Sequence, residues 1–330
     1  MKKILNRLTQ YETLTEKESR AIIIDISEGK LNTSEISSFL TIFMIRNITI
    51  EELNGFRKAL IELSLKIDLN EFDPIDLCGT GGDEKDTFNI STLASFVTAG
   101  SGVKVAKHGN YGVSSSCGSS NVLEYLDLKF NNDSDKIRKA VDKANICFLH
   151  APLFHPAMKN VAPVRKELGL KTFFNMLGPM VNPSMPKKQV VGVYNLELAR
   201  IYNYLYQTTD INYNIIHSID GYDEISLTKG TKVYSRESEF ILDSKDFSLK
   251  DIDSKNIRGG KDIESSSKIF MDVLNGEASN DQENVVCANA SLAIAISKDI
   301  SIIEAFDKAK ESIKTKNALK CFNELINIMK

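Results

Sequence analysis

Between Asp76 and Glu124 the chain carries three glycine- and hydroxyl-rich segments: Gly79-Thr80-Gly81-Gly82-Asp83, Asn89-Ile90-Ser91-Thr92, and Lys107-His108-Gly109-Asn110 leading into Ser114 to Ser120. Each falls between an apolar run and a helical pattern, where free backbone N–H groups and a helix dipole hold anions. Three in succession point to a ligand with several phosphates. Gly79 and Gly82 let the backbone approach a diphosphate closely. Asp83 suits ribose hydroxyls or a metal. Asn89 offers a cap side chain, Ser91 and Thr92 offer hydroxyls, and Ser91 could ligate Mg²⁺ as a P-loop serine does. Lys107, at a strand end, is a point charge suited to phosphate. His108 has acid–base chemistry, although a histidine held by the fold is the commoner case. Asn110 both donates and accepts, which suits a polar organic substrate. Further on, Asp223-Glu224 follows Gly221-Tyr222 at the end of an apolar run. Adjacent carboxylates there could grip Mg²⁺, a hard cation that bridges diphosphates. Singly, these features read as a turn, a cap, a solvated lysine and an acidic surface pair. Together they read as one phosphate and metal site.

The elements that must position them follow from periodicity. Up to about residue 68 the pattern is helical throughout. Thr15/Glu18, Asn32/Glu35 and Thr49/Glu52 look like capping boxes opening three amphipathic helices, with Phe39, Phe43 and Met44 as core. The character changes at Asp73-Pro74. Strand candidates are Ile75–Cys78, Val103–Ala106, Ile146–Leu149, Val190–Tyr194, Ile215–Ile219 and Ser226–Thr228. Helical stretches lie between them, notably Leu93–Ala99 and Leu196–Tyr206, and Asn289–Ile296 and Ile302–Ile313 close the chain. The expectation is an α/β protein with a small all-helical N-terminal domain (1–72) and a larger domain (73–330) built on a mostly parallel sheet flanked by helices. The glycine segments fall at the carboxyl ends of the strands, where such sheets bind ligands. Residues 229–284 are the most polar and the least legible.

Composition narrows the class. The 330 residues suffice for a large core, and a net charge of −3 exerts no general pull toward nucleic acid or anionic membrane. Five scattered cysteines show no metal-ligand spacing and fit reduced thiols in a cytoplasm. The N-terminus has no apolar core of a signal peptide, and no run is long enough to span a bilayer.

At Gly79–Asp83, Asn89–Thr92, Lys107–Asn110, His155–Met158, Pro163–Arg165, Phe174-Asn175 with Leu177–Pro179 and Asn182-Pro183, and Asp223-Glu224, the chain resembles the anthranilate phosphoribosyltransferases. The resemblance extends over nearly the whole chain. It implies attack of the anthranilate amino group on C1 of 5-phosphoribosyl 1-diphosphate (PRPP), with diphosphate leaving. By this likeness Gly79, Gly82, Asp83, Thr87, Asn89, Ile90, Ser91, Thr92, Lys107, His108, Gly109, Asn110, Ser115 and Ser119 line the PRPP site. Ser91, Asp223 and Glu224 would hold Mg²⁺, two ions per subunit. Gly79, Asn110 and Arg165 would hold anthranilate, and a guanidinium matches its carboxylate bidentately. Lys107, Asp223 and Glu224 would carry the catalytic electrostatics. The likeness also implies a homodimer formed through the helical domain, with the active site in the cleft between domains.

The chain departs from the family pattern at Tyr111, where arginine is usual, at Ser116 (lysine or arginine), Cys117 (serine), Asn121 (aspartate) and Lys171 (arginine). Two cations are thus missing near the third loop. Two other readings share the glycine-loop logic. A pyrimidine nucleoside phosphorylase would be longer and would lack the Leu177–Pro179 and Asn182-Pro183 block. A non-catalytic nucleic-acid-binding relative is opposed by the acidic balance and the intact Asp223-Glu224 pair.

Overall fold

The three capping boxes form as the sequence requires. Thr15, Asn32 and Thr49 accept from the backbone N–H of Glu18, Glu35 and Glu52, and each glutamate returns a bond to its capping residue. They open α2 (Glu16–Ser27), α3 (Thr33–Ile45) and α4 (Ile50–Glu62), preceded by α1 (Lys2–Thr9), which has no side-chain cap and so left no signal in the sequence. The computed structural model describes residues 1–112 and 117–330. Ser115 and Ser116 lie outside the described residues.

The chain divides into two compact units, Met1–Ile67 with Ala151–Pro183, and Asp68–His150 with Ser184–Lys330. The helical unit therefore takes in a segment, residues 151–183, that the sequence reading placed in the larger domain. Packing explains the difference. Phe173 stacks on Phe56 at 4.4 Å between ring centroids and lies 5.9 Å from Phe39 and 5.3 Å from Phe43, so it completes the helical core. Backbone bonds from Leu65 to the Phe154 carbonyl and from Ile67 to the Pro183 carbonyl tie both ends of the segment to the first helices. Phe39 and Phe43 are buried as expected, but Met44 is 38 % exposed on the outer face of α3. Helices α2 and α4 meet closely at Gly55, where a Cβ would lie 2.4 Å from the Glu16 carbonyl oxygen. Glu52 is a buried hub: it pairs with Arg46, caps α4 and accepts from the Leu14 N–H at 2.9 Å.

In the second unit, the described residues form one seven-stranded sheet of order β3-β2-β1-β4-β5-β6-β7. Its strands are β1 (Ile75–Leu77), β2 (Val105–Gly109), β3 (Ile146–His150), β4 (Lys188–Gly192), β5 (Asn212–Ser218), β6 (Thr231–Ser235) and β7 (Glu239–Leu242). β1 to β5 run parallel, while β6 and β7 add antiparallel at one edge. The parallel strands are buried almost throughout, which is why they read as continuous apolar runs. Ser226–Thr228 is not a strand. Leu227 sits at φ +57° and the Ser226 hydroxyl bonds Thr228, so the buried run is a tight turn. The edge strands β6 and β7 instead lie inside the polar stretch that resisted reading. Helix α5 (Ile90–Gly100) crosses between β1 and β2 and is buried along its length except at its ends. Among the described residues no single helix is long and apolar enough to cross a membrane, and the five cysteines are free.

Candidate active site

The strand order reverses between β1 and β4: β1 leads through α5 to β2 on one side, while β4 pairs with β1 on the other. A crevice opens outside the carboxyl ends at such a point, and the first glycine loop leaves β1 there. Cys78 N–H donates to the Val190 carbonyl and Thr80 N–H to the Gly192 carbonyl at 2.8 Å, so the loop stays zipped to β4 as it departs. Gly81 and Gly82 then turn through φ +62° and +84°, where a side chain would be strained. Gly79 is required by proximity: a Cβ on it would stand 2.8 Å from Asp223 Oδ2.

Asp223 and Glu224 reach the same place from the end of β5. The turn is built by Gly221 at φ +98° and by the Ser218 N–H bond to the Tyr222 carbonyl. The Ser218 hydroxyl donates to the Glu224 carbonyl at 2.6 Å. Asp223 Oδ2 accepts from Gly81 N–H at 2.8 Å. Glu224 Oε1 accepts from Ser91 N–H at 2.9 Å and Oε2 from the Thr87 hydroxyl at 3.2 Å. Ser91 is the second residue of α5, so Glu224 stands at the positive end of that helix. Asn89 occupies the cap position but does not cap with its side chain. Its amide donates to the Cys117 carbonyl at 3.0 Å and ties the second loop to the third, while Glu224 serves the first-turn amide.

Both carboxylates are 8 % exposed. Burial, then the charge of Asp83, pushes Asp223 up to about 7, and burial with the charges of Asp223 and Asp83 holds Glu224 well above the usual carboxylate range. Asp83 Oδ2 accepts from the Asp223 N–H at 3.5 Å, and its Oδ1 accepts from the Lys85 N–H at 3.2 Å. Such a pair is short of positive charge, and the donor set fits a hard divalent cation. Among the described residues no three His, Cys, Asp or Glu side chains gather into a metal cage. An ion held by this pair and the Ser91 hydroxyl would complete its shell with water and substrate oxygens, the habit of Mg²⁺ beside a diphosphate.

The third loop starts from β2. Lys107 does not stand free in the crevice: it is 2 % exposed and its Nζ donates to the Leu77 carbonyl at 2.6 Å, at the last residue of β1. Its charge sits under the glycine loop, with two further ammonium protons to give. His108 is buried, and its backbone N–H donates to Asp76 at 3.0 Å. Gly109 admits no side chain, because a Cβ would lie 2.4 Å from the Phe148 ring and 2.6 Å from Ser119 Oγ. The Asn110 carbonyl accepts from Ser119 Oγ and Ser120 N–H, both at 3.1 Å, and its side-chain oxygen accepts from Tyr111 N–H. Ile90 and Thr92 are buried in α5, and the Ile90 N–H donates to the Phe88 carbonyl at 2.6 Å.

In the helical unit Arg165 lies on the helix Ala162–Leu168. One terminal nitrogen donates to Asn175 Oδ1 at 3.2 Å, and the guanidinium covers the Phe174 ring at 5.4 Å. Its Nε is buried without a hydrogen-bond partner among the described residues, and burial lowers its pKa. A desolvated guanidinium without a carboxylate partner fits an anionic ligand.

Three positions escaped the sequence reading. In β4, Gly192 would place a Cβ 1.6 Å from the Asp223 carbonyl oxygen, so only glycine lets the carboxylate turn lie against the strand. Asn289, on the long helix Asn280–Lys298, clamps Ile225 from both sides: its Oδ1 accepts from Ile225 N–H at 2.9 Å and its amide donates to the Ile225 carbonyl at 2.8 Å. Residues 257–259 brace the run between the first and second loops, with Thr87 bridged to Arg258 and Gly259 N–H donating to the Asp86 carbonyl at 2.7 Å. The glycine in a Val-Val-Gly-Val run was the one visible signal.

Comparison with known proteins agrees with this geometry. Residues 2–64 match the helical bundle domain of a glycosyl transferase family and residues 71–319 match its α/β domain. The anthranilate phosphoribosyltransferase of Christiangramia forsetii is 60% identical over 325 residues, which cover 98% of each chain. The crystal structure of the Thermus thermophilus anthranilate phosphoribosyltransferase superposes with a TM-score of 0.91 at 28% identity, covering 98% of both chains. The Saccharomyces cerevisiae enzyme in complex with PRPP and Mg also gives 0.91, at 27% identity, covering 98% of this chain and 96% of that one. The chain therefore belongs to the anthranilate phosphoribosyltransferase family.

Proposed function

We propose that the protein transfers the 5-phosphoribosyl group of PRPP to the amino group of anthranilate, releasing diphosphate and N-(5-phosphoribosyl)anthranilate. The observation that carries the reading is the buried Asp223-Glu224 pair set against the Gly79–Asp83 loop and the N-terminus of α5, at the crevice where the strand order reverses. The match to anthranilate enzymes over 98% of both chains does not favour the phosphorylase reading.

The Gly79–Gly82 loop and the N-terminus of α5 take the diphosphate through the N–H groups not already committed to the Gly192 and Phe88 carbonyls, Asp223 and Glu224, and Asp83 takes the ribose hydroxyls. Asp223, Glu224 and Ser91 would hold Mg²⁺, which would supply positive charge beside the diphosphate. Lys107 adds fixed positive charge beneath the loop. Asn110, with the Gly79 backbone, orients the amine. Arg165 takes the anthranilate carboxylate through the guanidinium nitrogens left unused by Asn175. An aromatic amine is neutral near pH 7, so no strong general base is needed. Catalysis is positioning and electrostatics, and positioning alone can supply on the order of 7–11 kcal/mol at best. Loss of the cations at Tyr111 and Ser116 shifts PRPP binding onto backbone amides, Lys107 and Mg²⁺. We further assign a homodimer formed through the helical unit, whose Tyr11 and Ile45 are 73 % and 72 % exposed, and a reducing cytoplasm, consistent with five free cysteines.

The test follows loss of anthranilate fluorescence on adding PRPP and Mg²⁺. Wild-type protein consumes anthranilate, and Asp223→Asn with Glu224→Gln lowers turnover by roughly 10²-fold or more without unfolding the protein. No consumption by wild type, or unchanged turnover of the double variant at saturating Mg²⁺, refutes the assignment.

A further inference from the structure

Behind the third loop lies a cluster that the reaction does not use. His150, the last residue of β3, is paired in register with Gly109 of β2. Its ring stacks on Phe130 at 4.3 Å and 16° between planes, and Tyr111 meets it edge-on at 4.9 Å. Its Nδ1 lies 2.9 Å from Ser120 Oγ. Ser120 is fully buried, so this hydroxyl faces the histidine and not a ligand. The backbone of Ser120 points the other way, its N–H donating to the Asn110 carbonyl at 3.1 Å, the same oxygen that accepts from Ser119 Oγ. Asn121 fastens the same junction, its side-chain oxygen accepting from Gly112 N–H and Gly118 N–H, each at 3.0 Å. A single chain of contacts thus runs from the sheet through His150 and Ser120 to the carbonyl that fixes both Asn110 and Ser119.

We infer that His150 is a positioning residue for the phosphoribosyl donor: through Ser120 it holds the third loop and the Ser119 hydroxyl in register with β2. The inference rests on the placement of Asn110 and Ser119 against PRPP. Physically, a buried side-chain bond anchored on a stacked ring has two advantages here. The ring cannot rotate without losing its stack on Phe130, and the hydroxyl cannot leave without an unsatisfied buried group. Burial also keeps the imidazole neutral, with its pKa lowered to about 4, so it adds no charge beside the diphosphate. Tyr111 and Asn121, two of the positions that depart from the family pattern, both belong to this assembly.

His150→Phe keeps the ring stack and removes only the bond to Ser120. Ser120→Ala removes the same bond from the other side, and the double variant restores an apolar match. The expected result is an apparent KM for PRPP raised about fivefold or more in each single variant, with kcat within twofold of wild type and a smaller rise in the KM for anthranilate, which meets only the Asn110 side chain of this assembly. The double variant is no worse than either single one, because both remove one interaction. His150→Asn, which places an amide oxygen near the lost Nδ1, recovers most of the PRPP affinity. In the ligand-free protein, amide exchange at Ser120 and Tyr111 speeds up about tenfold in His150→Phe. Unchanged exchange together with an unchanged KM for PRPP, equal effects on both substrates, or additive losses in the double variant overturn the inference. Should wild-type protein show no transferase activity, the function proposed above fails by itself, and the exchange measurement still decides the role of His150.

Discussion

Replacing Gly192 by alanine tests the geometry of the site more directly than removing any charged group. The substitution adds one carbon, alters no charge, and lies in a regular parallel strand whose backbone accommodates alanine. Its Cβ would nevertheless stand 1.6 Å from the Asp223 carbonyl oxygen and 2.8 Å from the carbonyl carbon. Backbone on both sides leaves no flexible side chain to yield, so the Asp223 turn must retreat by roughly 1.5 Å to reach ordinary contact. Overpacking of this kind costs about 1–3 kcal/mol of stability. The effect on activity is larger, because a misplacement of about 1 Å in a catalytic group can cost roughly 10²-fold, and here both carboxylates move together. Gly276→Ala serves as control. It lies at φ +64° far from the strand ends, its Cβ would meet nothing nearer than 3.6 Å, and the left-handed backbone alone costs roughly 1–2 kcal/mol. The two variants should therefore lose similar stability in urea unfolding, while Gly192→Ala alone loses about two orders of magnitude in kcat/KM in the anthranilate fluorescence assay. Equal activity in the two variants would mean that the Asp223 turn either does not rest on β4 or does not matter to the reaction.

Further outcomes follow from individual groups. Arg165→Ala should raise the KM for anthranilate well above tenfold while changing the KM for PRPP by less than threefold, read from initial rates with each substrate varied; equal effects on both would reduce Arg165 to a support for Phe174 and Asn175. Glu52→Ala leaves Arg46 buried without its carboxylate, and breaking a buried pair costs about 3–5 kcal/mol, so its urea midpoint should fall sharply; a midpoint close to wild type would contradict the burial of that pair. Between pH 6.5 and about 4 the unfolded chain protonates His150 while the folded chain does not. The His150 component of stability therefore falls as pH drops through this window, by up to about 1.4 kcal/mol per pH unit, against the opposite contribution of Asp223 and Glu224. His150→Phe should lack that component, so the difference between the two unfolding curves against pH should close toward the acid end.

Much of this arrangement was visible in the residues because local signals and global fold agree. Capping boxes at Thr15, Asn32 and Thr49 are self-contained, needing only residues three apart, and all three form. Parallel strands buried on both faces announce themselves as apolar runs. What the sequence concealed depends on contacts distant along the chain. Residues 151–183 look like part of the α/β domain because they interrupt its strand pattern, and only Phe173 packing into the Phe39 and Phe56 cluster assigns them to the helices. Ser226–Thr228 has the composition of a strand. The left-handed backbone at Leu227, imposed by the turn carrying Glu224, prevents one.

At the site itself, residue types were legible and their partners were not. Asn89 reads as a helix cap because asparagine before a helix usually is one. It is released from that duty because Glu224, 135 positions later by numbering, already serves the Ser91 amide. That exchange has a consequence for mechanism. A carboxylate that caps a helix is held in place before any cation arrives, and the amide bonds to Gly81 and Ser91 partly offset the cost of burying the pair. The offset is incomplete, since both groups still bind protons more tightly than ordinary carboxylates. Stability and function therefore pull in opposite directions at this pair. Neutral amides at positions 223 and 224 would ease the folded protein and disarm it, whereas a cation bound there would relieve the same electrostatic debt and arm it.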